Sequence, residues 1–192
     1  MSKATLIGNL QSTFANYIIL EVGRDSGAKD LVPIKTEFRF EDYKTGDMIK
    51  VEGTVRTRNF YDSYGKRHKE MYILPTVITP KEEADDLLST FFGYENCVTM
   101  EGYLCKKDVL RKTPAGKTIL DFIIAVNHDN GQSSYISCIA WNKTAEWLNT
   151  IGLGNKLQIT GRFQSRVYEK DGHSMLAYEI CSNRISLVRT EK

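Results

Sequence analysis

Two kinds of side chain recur together in this sequence, and together they suit one chemistry. Cations crowd at Lys106, Lys107, Arg111, Lys112 and Lys117, and again at Lys143, Arg162 and Arg166. Tyr135, Trp141 and Tyr168 lie among them. Cations along a groove follow phosphates, and exposed aromatic faces stack on bases for about 1–3 kcal/mol each. These are the ingredients of a site for single-stranded nucleic acid. A sparser set occurs in the N-terminal half: Phe40, Phe60, Arg56 and Arg58, with Tyr61, Tyr64, Lys66 and Arg67 beyond them. With fewer loop cations, that half is expected to bind more weakly or to serve as scaffold. Catalysis is not expected. His68, His128 and His173 fall in or near turns, and no nucleophile motif accompanies them. Glu82, Glu83, Asp85 and Asp86 read as a solvated helix face, not as carboxylates converging on a metal. No phosphate-binding GxxxxGK[ST] loop is present. Cys97, Cys105, Cys138 and Cys181 form no CxxC pair and have no nearby histidine pair, so reduced thiols are expected and neither metal nor cofactor.

The elements that would position these residues are strands. Gly154–Gly172 reads GNKLQITGRFQSRVYEKDG. Leu157, Ile159 and Phe163 alternate with Gln158, Thr160, Arg162 and Gln164, the period of two of a strand with one buried face. Gly161 interrupts it, as a glycine does at a bulge, a bend or a close backbone approach. The chain says nearly the same thing earlier. Gly46–Gly65 reads GDMIKVEGTVRTRNFYDSYG, so Gly46, Ile49, Val51, Gly53, Arg58 and Phe60 match Gly154, Leu157, Ile159, Gly161, Arg166 and Tyr168 at one offset. A repeat within 192 residues favours two small domains over one large one.

In chain order, the first half offers strands at Lys3–Leu10, Tyr17–Val22, Ile34–Phe40, Ile49–Arg58 and Glu70–Thr79, with Gly23–Asp30 as a loop. At Thr79-Pro80-Lys81-Glu82 the pattern becomes that of a capped helix, with Ala84, Leu87, Leu88 and Phe91 at helical spacing up to Gly93. The second half repeats the order: strands at Val98–Leu104, Ile119–Val126 and Tyr135–Trp141, a helix at Lys143–Thr150 with Asn142 as its cap, the Gly154–Gly172 stretch, and Leu176–Val188. Lys106–Lys117 reads as a basic loop. Trp147 and Phe163 are expected in the core, and Phe122 fits either core or groove. The expected fold class is all-β: two tandem five-stranded Greek-key barrels of the OB type, residues 1–79 and 96–192, joined by a helical connector at 80–95, with a further helix between strands three and four of the second barrel only.

The second half also carries a resemblance. Its GYLCKKDVLRKTPAGKTILDFIIAVN, YISCIAWNKTAEWL, GNKLQITGRFQSRVYEKDG and YEI, over about residues 97–188, resemble the bacterial-type single-stranded DNA-binding proteins. The first half matches only through Ile7-Gly8-Asn9-Leu10 and Gly46–Phe60. The resemblance implies base stacking at Tyr135, Trp141 and Tyr168, and roles in DNA replication, recombination and repair. Members of that family commonly assemble four barrels, which implies a homodimer here. The sequence departs from the family in its two barrels, in the helix missing from the first, and in ending at Leu187-Val188-Arg189-Thr190-Glu191-Lys192 without the acidic-hydrophobic tip that recruits partner proteins. A mobile-element or phage origin would suit those departures.

Charge and hydropathy agree with this reading. The net charge of +2 is uneven: 12 basic and 10 acidic residues in 1–78, 1 and 5 in 79–95, 13 and 9 in 96–192. Two mildly basic halves permit a polyanionic partner. The start MSKATLIGNL has no charged and then apolar signal pattern, so a cytoplasmic location is expected. Two other readings use the same residues. One is a duplicated scaffold that docks a replisome or primosome protein through the 81–92 helix. The other is RNA binding, because stacking does not read the sugar.

Overall fold

A computed structural model describes residues 1–36, 43–80, 95–170 and 172–188 of the chain. Eleven strands and one helix lie among them. The strands are β1 (Ser2–Phe14), β2 (Tyr17–Gly23), β3 (Lys29–Lys35), β4 (Met48–Tyr61), β5 (Arg67–Pro80), β6 (Glu95–Lys107), β7 (Arg111–Lys112), β8 (Thr118–Asn127), β9 (Ser133–Trp141), β10 (Lys156–Lys170) and β11 (His173–Leu187). The helix, α1, spans Asn142–Thr150.

Strand pairing closes on itself twice. β1 pairs with β2, β2 with β3, β3 with β5 in parallel at Ile34 and Ile73, β5 with β4, and β4 returns to β1. Likewise β6 pairs with β8, β8 with β9, β9 with β11 in parallel at Cys138 and Ile180, β11 with β10, and β10 returns to β6. Closure removes the open edges that an antiparallel sheet would otherwise expose. Period-two patterning decides what faces inward: Ala4, Leu6, Gly8 and Leu10 on β1, and Leu157, Ile159, Gly161 and Phe163 on β10, are all buried. Gly8 and Gly102 therefore continue the buried column of their strands.

Gly53 and Gly161 sit at equivalent irregularities. The β4–β5 register skips a residue between Glu52 and Gly53, and the β10–β11 register does so between Thr160 and Gly161. A Cβ at Gly53 would lie 2.3 Å from the Leu74 carbonyl oxygen, and one at Gly161 2.3 Å from that of Cys181. Both glycines mark a bulge and a close backbone approach, as their strand context predicts.

The structure departs from the sequence expectations in places. The third strand of the first half is Lys29–Lys35, so it begins ahead of the expected Ile34, while residues 37–40 lie outside the described residues. The stretch read as a loop contracts to a tight turn, in which Arg24 N–H donates to the Ala28 carbonyl and Gly27 N–H to the Arg24 carbonyl. Pro33 lies inside this strand. It is tolerated because β3 pairs with β5 only at Ile34, so little of the ladder on that side needs its missing N–H. Thr79 and Pro80 end β5, paired with Lys50 and Ile49; the expected connector helix beyond them lies outside the described residues, as does Phe40. Asn142 is the first residue of α1, in the left-handed region at φ 50°, while Trp141 takes the extended capping position. Asparagine tolerates that conformation better than most residues.

The two circuits are joined by β1 and β6, which pair antiparallel from Ser2 with Met100 to Ile7 with Glu95. A polar node adds to this. Asp30 of β3 is fully buried and accepts from Arg24 Nε at 2.7 Å, from Arg24 Nη2, and from the Ser165 N–H of β10 at 2.9 Å. The Leu31 N–H returns a bond to Ser165 Oγ at 2.8 Å. On another face, the Thr57 N–H donates to Ser134 Oγ at 3.1 Å and the Tyr135 N–H to Thr57 Oγ1 at 3.0 Å.

Candidate nucleic-acid interface

Alternation on β9 puts Ile136, Cys138 and Ala140 inside and leaves Tyr135, Ser137, Ile139 and Trp141 on the outer face. Tyr135 is 53% exposed. Trp141 is partly buried against Ile119, Ile139 and Cys181, and it lies about 20 Å further along the strand at the usual rise per residue. On β10, Phe163 is inward, so Arg162, Gln164, Arg166 and Tyr168 take the other face, opposite Cys181, Glu179, Ala177 and Met175 of β11. Because β11 pairs with β9, these residues share one sheet surface with Tyr135 and Trp141. A groove of about 330 Å³ runs across it, bordered by Lys106, Asp121, Ser137, Arg166 and Glu179.

Arg166 is the best-placed cation of that groove. Its guanidinium carbon lies 5.8 Å from the Tyr168 ring centroid, and its Nε is 3.5 Å from Glu179 Oε1. Glu179 is 6% exposed. Burial pushes its carboxyl above the ordinary range, with Arg166 and the Gln164 amide pulling the other way. Arg166 is thus held between a ring and a carboxylate and is half in solvent.

The other expected cations divide by what already holds them. Lys107 Nζ donates to the carbonyls of Leu148, Asn149 and Ile151, so its charge caps the C-terminal end of α1 instead of facing the groove. Arg162 donates to Gln164 Oε1 at 2.7 Å and lies 3.9 Å from Asp30, at the joint between the two circuits. Arg111 pairs with Asp121 in the short hairpin of β7 and β8, and Lys106 pairs with Asp108 at 2.8 Å. Lys112, Lys117 and Lys143 are exposed and make no ion pair among the described residues. The stretch read as a basic loop is therefore partly sheet: Lys106 and Lys107 end β6, and Arg111 and Lys112 form β7.

In the first half, Phe60 is 42% exposed and stacks on His68, with centroids 5.3 Å apart and planes 21° apart. His68 Nε2 is 2.7 Å from Asp62 Oδ2. Arg58 pairs with Glu70 at 3.0 Å, and Arg56 Nε donates to Thr54 Oγ1 at 3.2 Å. Phe122 and Phe163 are both core residues, at 3% and 0% exposure. Trp147, expected inside, is exposed, because α1 buries only the Ala145–Leu148 stripe and Trp147 falls beside it.

Sequence reasoning missed a second groove, of about 410 Å³, between the two circuits. Asn59, Arg67 and Lys69 line it from one side, and Cys105, Lys106 and Tyr135 from the other. No local pattern signals it, because it exists only where β4 approaches β9.

Comparison with known proteins bears on the family and the fold. The model of the single-strand binding protein family matches residues 95–188. Single-stranded DNA-binding protein 3 of Listeria innocua is 34% identical over 105 residues, which are 50% of this chain and 66% of that protein. Single-stranded DNA-binding protein 2 of Listeria monocytogenes is 34% identical over 48% of this chain and 63% of its own length. The chain thus spans just under two thirds of these two relatives. Single-stranded DNA-binding protein 2 of Streptococcus agalactiae is 31% identical over 50% of this chain and 78% of its own length. Over the whole chain, the single-stranded DNA-binding protein of Thermus aquaticus superposes with a TM-score of 0.69 at 21% identity, covering 95% of that structure, which shows a shared fold. On the family model and on a relative matched over most of its length, this chain belongs to the single-strand binding protein family.

Proposed function

We propose that this protein binds single-stranded DNA without strong sequence preference, by stacking bases on Tyr135, Trp141 and Tyr168 and pairing phosphates with Arg166, Lys106, Lys112, Lys117 and Lys143. The observation that carries this is the common outer face of β9, β10 and β11, which presents Tyr135 and Trp141 and holds a groove whose cation, Arg166, lies over the ring of Tyr168. Such a surface has no base-edge code to read, and stacking accepts any base. Membership of the family supports DNA as the polymer. The function is non-catalytic and belongs to DNA replication, recombination or repair.

In this reading the chain is a tandem of two OB barrels, residues 1–79 and 96–192, joined by a connector at 80–95. The second barrel carries most of the affinity. Phe60, Arg56 and Arg58 of the first have neighbours of their own, which supports a lesser share of the binding. Two chains would supply four barrels, and a homodimer is the proposed assembly; light scattering should return twice the chain mass.

The test is substitution. Trp141→Ala and Tyr168→Ala should each weaken binding to fluorescein-labelled oligo-dT by about 1–3 kcal/mol. Lys107→Gln should leave affinity nearly unchanged, since that ammonium holds α1. Unchanged affinity in both aromatic variants moves the site off this face.

A further inference from the structure

The groove between the two circuits has the composition of a strand-crossing point. Arg67 and Lys69 reach it from β5, Lys106 from β6 and the exposed ring of Tyr135 from β9, and no Asp or Glu is among its lining residues. Its walls are fixed to each other. Thr57 bonds Ser134 and Tyr135, as described, and Lys69 Nζ crosses from one circuit to donate to Ser137 Oγ of the other at 2.9 Å. Lys69 has no carboxylate partner among the described residues. Much of its side chain is solvent-facing, yet the neighbours displace enough water from the ammonium to pull its pKa below the ordinary lysine value. An unpaired cation in that setting is one that an incoming phosphate would satisfy. The groove also continues into the one beside Arg166, because Lys106 and Ile123 line both. Its volume of about 410 Å³ falls within the roughly 300–1,000 Å³ of a small-molecule site, room for a nucleotide unit but not for a duplex.

We propose that a single nucleic-acid strand passes from one half of the chain to the other through this groove, with Arg67 and Lys69 holding its phosphates and Tyr135 taking a base at the crossing. The proposal rests on the single-strand reading above and adds to it a path. One strand engages both halves of one chain, and the first half supplies two cations at the joint whatever its own face contributes. A strand too short to reach past Tyr135 would use the second half alone.

Two measurements on the full chain test the path. The first is the salt dependence of binding to a long oligo-dT, for wild type and for Arg67→Gln/Lys69→Gln. Each phosphate lost from a single strand lowers the slope of log K against log salt by roughly 0.7, so the double variant should fall by about 1.4. A merely structural role for the two residues would not move that slope. The second uses Cys105, which is exposed on the groove, while Cys138 and Cys181 are buried. In a Cys97→Ser background, saturating oligo-dT should slow maleimide labelling of Cys105 at least tenfold, and duplex DNA should not. If wild type binds oligo-dT but the slope is unchanged, or Cys105 labels at its free rate, the crossing is wrong while the single-strand reading stands. If wild type does not bind oligo-dT at all, both are overturned.

Discussion

Asp30→Ala is expected to destabilise the protein by about 3–5 kcal/mol, the cost of leaving a buried ion pair half made. Asp30 is fully buried and answers three donors, Arg24 Nε, Arg24 Nη2 and the Ser165 N–H, with Arg162 Nε a further 3.9 Å contact. Removing the carboxylate strands a guanidinium and a backbone N–H together. The Arg24 side chain is 23% exposed, so water recovers part of the loss, and the lower end of the range is the expected value. Asp30→Asn keeps the shape and can accept one of the bonds, and so should cost less. The node joins β3 to β10, so its loss also weakens the hold of one half on the other. Urea denaturation followed by circular dichroism checks this. A drop below 1 kcal/mol for Asp30→Ala would mean that the node contributes little and that the β1–β6 pairing, with the Thr57 and Lys69 contacts, unites the halves without it.

Gly161→Ala should cost about 3 kcal/mol, the upper part of the range for overpacking a filled interior. The added Cβ would sit 2.3 Å from the Cys181 carbonyl oxygen, 3.0 Å from the Cys181 carbonyl carbon and 3.0 Å from Ser182 Cα. All three are backbone atoms of the paired strand, so no side chain can step aside and β11 itself must shift at the bulge. Gly53→Ala meets Leu74 and Pro75 in the same way and should behave alike. Gly152→Ala is the control. Its nearest neighbour would be Asn155 Nδ2 at 3.5 Å, an ordinary contact, and a surface change of that kind stays within about 0.5 kcal/mol. Thermal unfolding of the three variants separates the two cases. A Gly161→Ala protein as stable as Gly152→Ala would show that the strands are not held as close as described.

What could be read from the sequence was local. Alternation at Leu157, Ile159 and Phe163 and the matching glycines at 53 and 161 marked the strands that curve, and the buried columns follow that pattern. Tyr135 and Trp141 could be placed on one face because a strand has a fixed period. The errors came where a local rule met a tertiary exception. Alternation from Ile34 marked the third strand late: it starts at Lys29 and carries Pro33 where β5 makes almost no ladder. Lys107 looked like one more cation in a basic loop, and only the return of α1 against β6 shows that its ammonium is committed to helix carbonyls. Arg162 alternates correctly with Phe163 but lies against Asp30, a residue far away in the chain. The groove at Lys69 belongs to neither half alone, so no stretch of sequence contains its pattern.

The central claim is that aromatic faces and cations on the second half hold a single strand of DNA. Titration with oligo-dT at two salt concentrations, followed by tryptophan fluorescence, tests it most directly. Emission should be quenched as a base covers Trp141, affinity should weaken with salt as counterions are released, and duplex DNA should give no comparable response. Unquenched emission together with no measurable affinity for oligo-dT would contradict it.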